Sequence, residues 1–285
     1  MRKNIIKKGR DVKINSTCIF EGLKGKQGEI SFGDYCTVSE KCRFYVSAEF
    51  KMGDYGIIHN NTLIQGYKKC SIGHNAWIGQ NSIINATDRL TIGNNFAIGT
   101  DSKIWTHAFH GELLLGCRIA VGIPDYESKS GAITIGDDFW GVGQVTISPG
   151  IKIGDKVIAL TNSLITKDIP NNTVIGGVPA RPIPVEDDLR GYIELKEVER
   201  FDLMKGFSED FAKLNRINIK TDKKNKKIVL GNHEIVINTS GQKIDDDDTS
   251  YFDIMKRTYT KKHNNLEKKF MDFLLGYRAR FIPKQ

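Results

Sequence analysis

The sequence has few cysteines and lacks any long hydrophobic run. Its five cysteines are odd in number and include no Cys-x-x-Cys pair: Cys18, Cys36, Cys42, Cys70 and Cys117. This pattern argues against a disulfide framework or a zinc ribbon. No apolar run reaches the roughly 18–20 residues that a membrane-spanning helix needs, and no apolar stretch of signal-peptide length follows the basic start. We therefore expect a cytoplasmic protein without a membrane span.

A strong excess of one charge is also absent. The net charge of +8 is divided between residues 1–185 (21 basic and 16 acidic) and residues 186–285 (21 basic and 18 acidic). The densest basic run, residues 223–227, is more typical of a solvated turn than of a nucleic-acid patch. A mildly basic protein suits anionic ligands such as a phosphorylated cofactor or an acidic glycan. We expect no nucleic-acid partner.

An internal repeat of 20 residues is the dominant pattern of the sequence. Within each repeat an apolar residue returns every six positions: Phe32, Val38, Phe44; Met52, Ile58, Ile64; Ile72, Ile78, Ile84; Ile92, Ile98, Ile104. The spacing resumes further on, with a glycine and an alanine among the repeated positions: Ile135, Gly141, Ile147, Ile153, Ala159, Ile165. A six-residue period fits neither an amphipathic helix nor an alternating strand. It fits a chain that turns a corner every six residues.

This spacing predicts triangular coils of three short strands, stacked about 4.8 Å apart. The residues with six-residue spacing should point into the prism. The fourth residue after each should also face inward and be small, as six of them are: Cys36, Cys42, Thr62, Ala76, Ser82 and Ser102. The pattern therefore makes Cys36 and Cys42 core residues and not metal ligands. The glycine after each first apolar residue is predicted to let the backbone turn the corner.

The repeat resembles that of the hexapeptide-repeat acyltransferases, which form left-handed parallel β-helices, over roughly residues 12–185. The resemblance implies a mainly β protein with the β-helix at residues 1–185. The patterns in residues 186–285 predict a small α+β appendage. We expect this appendage to contact a larger acceptor. Repetition alone specifies the fold and not the chemistry, because the family also includes γ-type carbonic anhydrases.

A single long interruption, residues 105–132, is the first candidate functional segment. It opens with Trp-Thr-His-Ala-Phe-His-Gly-Glu, which resembles the Thr-His-Pro or Gly-His-Pro segment of galactoside and maltose O-acetyltransferases. The resemblance places the family's general base on His107, with His110 as the alternative. The register puts His107 in line with Thr87 and Tyr67, at a corner outside the core. A neutral imidazole suits the task of taking a proton from a sugar hydroxyl.

Two further segments resemble the family's cofactor region. Residues 133–155 are similar to its I-G-x-x-V-W-I-G-x-x-x-x-I-x-P-G-V-x-I-G-D signature, in which Trp140 matches a tryptophan of the reaction channel. Residues 166–181 are similar to its T-K-D-I-P-x-N-x-V-x-x-G-x-P-A-R segment. Acetyl-CoA is therefore the expected co-substrate, with six binding residues: Gly143, Thr161, Asn162, Thr166, Lys167 and Arg181. Leu160 departs from the pattern, because it replaces a glycine beside the pantetheine groove.

The sequence thus predicts acetyl transfer from acetyl-CoA to a sugar hydroxyl of a bacterial surface polysaccharide or its precursor, without a metal. Asn85 and Asp88, one coil before the loop, are candidate acceptor-binding residues. The resemblance also implies a homotrimer, since relatives share the cofactor groove between two subunits. The alternatives are N-acetylation of a nucleotide-linked amino sugar and a non-catalytic carbohydrate-binding solenoid. A γ-type carbonic anhydrase would need three zinc-binding histidines, two of them five residues apart.

Local patterns also predict elements in the last hundred residues. Helical spacing runs over residues 185–214 and again over residues 263–277. Three short strands are expected between them, at residues 217–219, 227–230 and 234–238, with the last two forming a hairpin.

Overall fold

The computed structural model describes residues 2–107, 131–184, 195–239, 248–276 and 278–284. The chain divides into two compact units, residues 1–191 and residues 192–285. The first unit is a triangular prism of three sheets, to each of which the first seven coils contribute one strand. It is a left-handed parallel β-helix, and the fold predicted from the six-residue spacing is confirmed.

The three sheets of the prism are called I, II and III in the order in which the chain enters them. Sheet I contains Ile5–Lys8, Glu29–Phe32, Glu49–Met52, Cys70–Ile72, Leu90–Ile92, Ile133–Ile135 and Lys152–Ile153. Sheet II contains Lys13–Ile14, Thr37–Val38, Ile57–Ile58, Trp77–Ile78, Ala97–Ile98, Trp140–Gly141, Ile158–Ala159, Val174–Gly176 and the antiparallel Arg181–Pro182. Sheet III contains Ile19–Glu21, Arg43–Val46, Leu63–Gly66, Ile83–Ala86, Lys103–Ile104, Thr146–Ile147 and Leu164–Ile165. A 3-10 turn occupies Leu23–Gly25.

The core of the prism is built by the predicted inward positions. Equivalent residues pair from coil to coil, so that Ile72 lies between Met52 and Ile92 in sheet I. All twelve apolar residues of the four regular coils are at most 3% exposed. The small residues beside the corners, including Cys36 and Cys42, are equally buried. Stacking of like side chains at every coil therefore supplies the hydrophobic stabilisation of this unit.

The glycine that follows each first apolar residue has a different role from the predicted one. Left-handed backbone at these corners falls two residues later, for example at Asn75 with φ 59°. The glycines themselves are needed because adjacent coils approach closely. A Cβ on Gly73 would lie 2.6 Å from the carbonyl oxygen of Gly93, and a Cβ on Gly33 would lie 2.7 Å from the backbone of Asp54. The prediction that these glycines turn the corner is wrong.

The second unit is a mixed sheet with two helices. Helix α1 spans Glu197–Asn215 and helix α2 spans Asn265–Leu275. The six strands, in sheet order, are Ile219–Asp222, Lys227–Leu230, Ile235–Asn238, Ser250–Asp253, Thr258–Tyr259 and Ile282–Pro283. Aromatic side chains form the centre, where Phe270 packs against Phe211 and Phe252. In the parts of the chain that the structure describes, no helix combines the length and the apolar character needed to cross a membrane.

Candidate active site

The corner between sheet III and sheet I, called the III/I corner below, holds the predicted base. Ile84 pairs with Ile104 in sheet III, and continuing this register places Thr87 beside His107 on adjacent coils. The His107 side chain is half-buried, and its ring packs edge-on against Trp105 at 6.0 Å between centroids. His107 therefore lies outside the stacked core, as its spacing predicted. The alternative base, His110, and the loop over residues 108–130 lie outside the described residues.

A buried asparagine lies next to the histidine ring. Asn85 is 1% exposed, and its Oδ1 lies 3.1 Å from Nδ1 of His107. The same oxygen accepts hydrogen bonds from the Thr87 N–H at 3.0 Å and from Oγ1 of Thr106 at 3.0 Å. The Thr106 hydroxyl in turn accepts from the Asp88 N–H at 2.9 Å. The corner is thus held by a connected network of side-chain and backbone groups.

This network fixes which ring nitrogen of His107 carries a proton. The Thr87 backbone N–H can only donate, so the Asn85 atom that it meets must be the amide oxygen, which can only accept. A hydrogen bond between that oxygen and Nδ1 of His107 then requires a proton on Nδ1. In the neutral ring Nε2 is left with its lone pair, as a general base requires.

The structure changes the interpretation of one of the two expected acceptor-binding residues. Asn85 lies beneath the histidine with its amide oxygen engaged, which suits positioning of the ring better than contact with a substrate. Asp88 is half-buried, and its Oδ1 accepts the Arg89 N–H at 2.6 Å. Both residues therefore belong to the same corner as His107, where Asn85 lies beneath the ring and Asp88 stays a candidate acceptor-binding residue.

Thr106 is a site residue that the sequence reasoning missed. It is fully buried and it links Asn85 to the backbone of Asp88. A signal was present in the repeat, because the equivalent positions of earlier coils hold Val46, Gly66 and Ala86. A hydroxyl in a column of apolar or small residues indicates a local hydrogen-bonding requirement.

Trp140 and Gly143 lie on a different part of the prism. Trp140 is on the outer surface of sheet II, 51% exposed, between Ala97 and Ile158 of the adjacent coils. Gly143 is at the corner between sheets II and III, where an added Cβ would meet nothing nearer than 3.8 Å. In a triangular prism the III/I corner is opposite sheet II, and the core separates the two. A single chain therefore does not bring Trp140 next to His107.

The other expected cofactor residues fall into two groups. Thr161 and Asn162 are exposed at the II/III corner, where the Asn162 N–H donates to the Gly143 carbonyl at 3.0 Å. Thr166 and Lys167 are exposed at the III/I corner, two coils or about 10 Å beyond His107.

Leu160 and Arg181 flank the end of sheet II. Leu160, the departure from the family pattern, is half-exposed and packs beside Gly176. Arg181 pairs with Gly176 on the final antiparallel strand, and its side chain is exposed. The leucine thus lies at the surface of the sheet end that also carries Arg181, and it does not fill the core.

Three buried cysteines and His74 have structural surroundings. Burial raises the pKa of the Cys36 and Cys70 thiols to about 12 and that of Cys42 to about 11, which removes their nucleophilic form at neutral pH. His74 accepts the Asp54 N–H at 2.9 Å through Nδ1. Within the described ranges, no three His, Cys, Asp or Glu side chains converge as a metal site would require.

Comparison with known proteins gives short but significant sequence matches. The chain is 47% identical over 57 residues to a galactoside O-acetyltransferase from Escherichia coli K12, which is 20% of this chain and 28% of the relative. It is 44% identical over 61 residues to WbbJ of the same organism, a candidate lipopolysaccharide biosynthesis O-acetyl transferase, which is 21% of this chain and 31% of the relative. The chain is related to hexapeptide-repeat acetyltransferases. The resemblance found in the repeats is confirmed.

The relationship covers only part of each protein. The matched stretches span less than a third of the length of these two relatives. No protein-family model matches the chain. Among solved structures, AntD, an N-acyltransferase from Bacillus cereus in complex with dTDP and 3-hydroxybutyryl-CoA, aligns with a TM-score of 0.40 and 16% identity, over 74% of this chain and 91% of that one.

Proposed function

We propose that this protein transfers an acetyl group from acetyl-CoA to a sugar hydroxyl, on a bacterial surface polysaccharide or its precursor. The observation that carries the proposal is the contact between Nδ1 of His107 and the buried Asn85 amide oxygen, which leaves Nε2 able to accept a proton. The related proteins named for O-acetylation of galactosides and of lipopolysaccharide support a hydroxyl acceptor.

The proposed reaction is a direct transfer without a covalent enzyme intermediate. Nε2 of His107 takes the hydroxyl proton as the sugar oxygen attacks the carbonyl carbon of the thioester. The resulting tetrahedral intermediate is stabilised by backbone N–H groups near Gly143. Its collapse breaks the carbon–sulfur bond, and the imidazolium returns the proton to the departing coenzyme A thiolate. The products are the acetyl ester and coenzyme A, and the histidine is regenerated.

We assign acetyl-CoA to Thr161 and Asn162 at the II/III corner, Thr166 and Lys167 at the III/I corner, and Arg181 at the end of sheet II, with a site shared by two subunits bringing them together. All five side chains are exposed. Exposed cations are suited to the phosphates of coenzyme A, and the arginine guanidinium can bind a phosphate with two parallel hydrogen bonds.

We further propose a homotrimer, in which His107 of one subunit faces Trp140 and Gly143 of the next. Two observations support it. The core of a single prism separates these residues, and the outer surface of sheet II presents an apolar column: Ile57, Trp77, Ala97, Trp140, Ile158 and Val174. Burial of such a column against a neighbour is favourable.

A mixing experiment tests the shared site. His107→Ala and Gly143→Trp variants should each be inactive alone, whereas trimers assembled from both should regain activity, since some interfaces then contain two intact halves. His107→Ala mixed with itself is the control. Light scattering that finds a monomer at micromolar concentration, or mixed trimers without activity, would contradict the proposal.

The function itself is tested on His107. Acetyl-CoA turnover is screened against sugars and capsular glycans, and an ester product is recognised by its release in mild alkali, which spares an amide. His107→Ala should lower kcat by roughly 10²–10⁴-fold with an unchanged Tm, because the side chain lies outside the core. His233→Asn removes an exposed imidazole from the second unit and should have no effect. Equal rates for wild type and His107→Ala would refute histidine catalysis.

A further inference from the structure

The positive charge of the β-helix is concentrated in its first coils. Residues 2–69 contain 13 basic and 7 acidic side chains, a net charge of +6. The other described ranges of the prism, residues 70–107 and 131–184, contain 6 basic and 6 acidic side chains. The charge is therefore not spread evenly along the prism: residues 2–29 carry a net charge of +5 and residues 50–69 a net charge of +2, whereas residues 30–49 carry −1.

Several of these cations line the same corner as His107. Five exposed residues follow strands of sheet III at this corner, and we call them the corner ridge: Lys24, Lys26, Tyr67, Lys68 and Arg89. Strand register aligns Tyr67 with Thr87 and His107 along the prism. Lys24 lies four coils from His107, which at the strand spacing is about 19 Å. The corner ridge and His107 thus lie along the same edge of the prism, with Ser47 and Ala48 at the corner of the second coil, between Lys26 and Tyr67.

The corner ridge combines cations with an aromatic surface. Tyr67 is 40% exposed, and Nζ of Lys24 lies 5.6 Å from its ring centroid, which spans two coils. Acidic groups along this corner are engaged locally. Glu49 forms an ion pair with Lys69 at 2.8 Å, and Asp88 accepts from the backbone of Arg89. Together, the segments that join sheet III to sheet I at residues 22–28, 47–48, 67–69 and 87–89 contain five basic side chains and one acidic side chain, so the charge presented at the corner is positive.

We propose that the corner ridge binds a carboxylated polysaccharide chain, which runs along the corner and presents one of its hydroxyls to His107. This inference rests on the proposed function at its His107 end. Lysine and arginine side chains meet the carboxylates of successive sugars, and the Tyr67 ring covers the apolar face of one sugar. The length of the corner ridge suits an acceptor of several sugar units, whereas a monosaccharide would use only its last coil.

The arrangement favours an acidic glycan over other polyanions. Single-stranded nucleic acid binds with several aromatic rings that stack on successive bases, whereas Tyr67 is the one aromatic member of the corner ridge. An anionic membrane would contact a broad surface, whereas these cations follow one edge of a prism. The corner ridge also leads to His107, which is assigned to activation of a sugar hydroxyl, and this too favours a glycan as the ligand.

The test measures binding without acetyl-CoA, so that it does not depend on catalysis. The probe is polygalacturonate, and its carboxyl-reduced, neutral form is the matched ligand. The Lys24→Ala/Lys68→Ala/Arg89→Ala variant should bind polygalacturonate about tenfold more weakly and with a flatter salt dependence. The control is Lys13→Ala/Lys51→Ala/Lys152→Ala, which removes the same charge from exposed positions on sheets I and II. Its affinity should stay within twofold of wild type.

Four results would overturn the proposal. In the first, the wild type does not bind polygalacturonate, and in the second it binds the carboxyl-reduced form equally well. In the third, the two triple variants weaken binding equally. In the fourth, an oligonucleotide of equal charge displaces bound polygalacturonate at a lower concentration than free polygalacturonate does. His107→Ala separates this proposal from the proposed function, because it should bind polygalacturonate as the wild type does. If the wild type binds polygalacturonate but transfers no acetyl group to any glycan, the proposed function is refuted and the proposed binding by the corner ridge is retained.

Discussion

Replacement of Asn85 by aspartate tests whether this residue sets the proton position on His107. Aspartate has the same shape, and its carboxylate can still accept from the Thr87 N–H, the Thr106 hydroxyl and Nδ1 of His107. The fold of the corner should therefore be retained. What changes is the charge, since a carboxylate replaces a neutral amide 3.1 Å from the imidazole.

The magnitude follows from that distance. A negative charge this close stabilises the imidazolium over the neutral ring, and opposite charges at such separations change titration by about one to three units. The acidic limb of the rate profile should therefore move up by about one to three pH units. Below the new limb the rate should fall about tenfold for each pH unit. Above it, kcat should return to near the wild-type value, because Nε2 again has its lone pair.

Asn85→Ala should behave differently. It leaves the Thr87 N–H without its acceptor, which should cost about 1–3 kcal/mol, whereas the Thr106 hydroxyl can still donate to the backbone carbonyl oxygen of residue 85 at 3.2 Å. Without an acceptor on Nδ1 the ring is no longer held in one tautomer. The rate should fall at every pH, with the position of the limb unchanged.

The assay is kcat against pH from about 5 to 9.5 for wild type, both variants and a matched control, with Tm recorded for each. The control is Asn15→Asp, because Oδ1 of Asn15 also accepts the N–H two residues on and a threonine hydroxyl, at another corner. Its profile should match the wild type. If the limb of Asn85→Asp also stays in place, Asn85 is only a structural residue of the corner and the tautomer argument fails.

Two further predictions concern the cofactor and the core. Lys167→Ala and Arg181→Ala should raise KM for acetyl-CoA with a smaller loss of kcat, since they would bind groups remote from the thioester; unchanged cofactor affinity in both would show the assignment to be wrong. Cys36, Cys42 and Cys70 should resist iodoacetamide at pH 8 in the native protein and react fully in denaturant, because burial raises the pKa of each thiol. Peptide mass spectrometry checks each cysteine, and rapid native labelling of Cys36 would mean that the coils open.

The β-helix could be predicted because every coil repeats the same physical requirement. An inward position must be filled at each turn, so Ile58, Ile78 and Ile98 occupy equivalent positions in three successive coils and each indicates the same fold. Even Gly141 could be placed, although it contributes no side chain to the stack. The role of the repeated glycines could not be predicted in the same way, because a close approach between coils depends on atoms 20 residues away.

In the second unit, the local elements and the hairpin of Lys227–Leu230 with Ile235–Asn238 were predictable, and that hairpin is confirmed, whereas the pairing of distant strands was not predictable. Helical spacing over residues 185–214 indicated α1, although its start at Glu197 depends on Oε2 of Glu199 accepting the Lys196 N–H at 2.7 Å. The strand Ser250–Asp253 is buried at every position and shows no alternation. Its parallel pairing with Ile235–Asn238 is a long-range contact that no local pattern encodes.

The candidate site was only partly predictable because it occupies the place where the repeat stops providing a template. The spacing alone predicted that His107 lies outside the core at the III/I corner, because the register that aligns Tyr67 with Thr87 extends to it. The burial of Asn85 depends on how the chain leaves Ile104, and this has no equivalent in the regular coils. A polar residue at a repeat position whose equivalents are apolar or small, as at Thr106, is therefore the feature to seek first in a solenoid. It identifies the coil at which hydrogen bonding replaces packing, and in this chain that coil also carries the histidine.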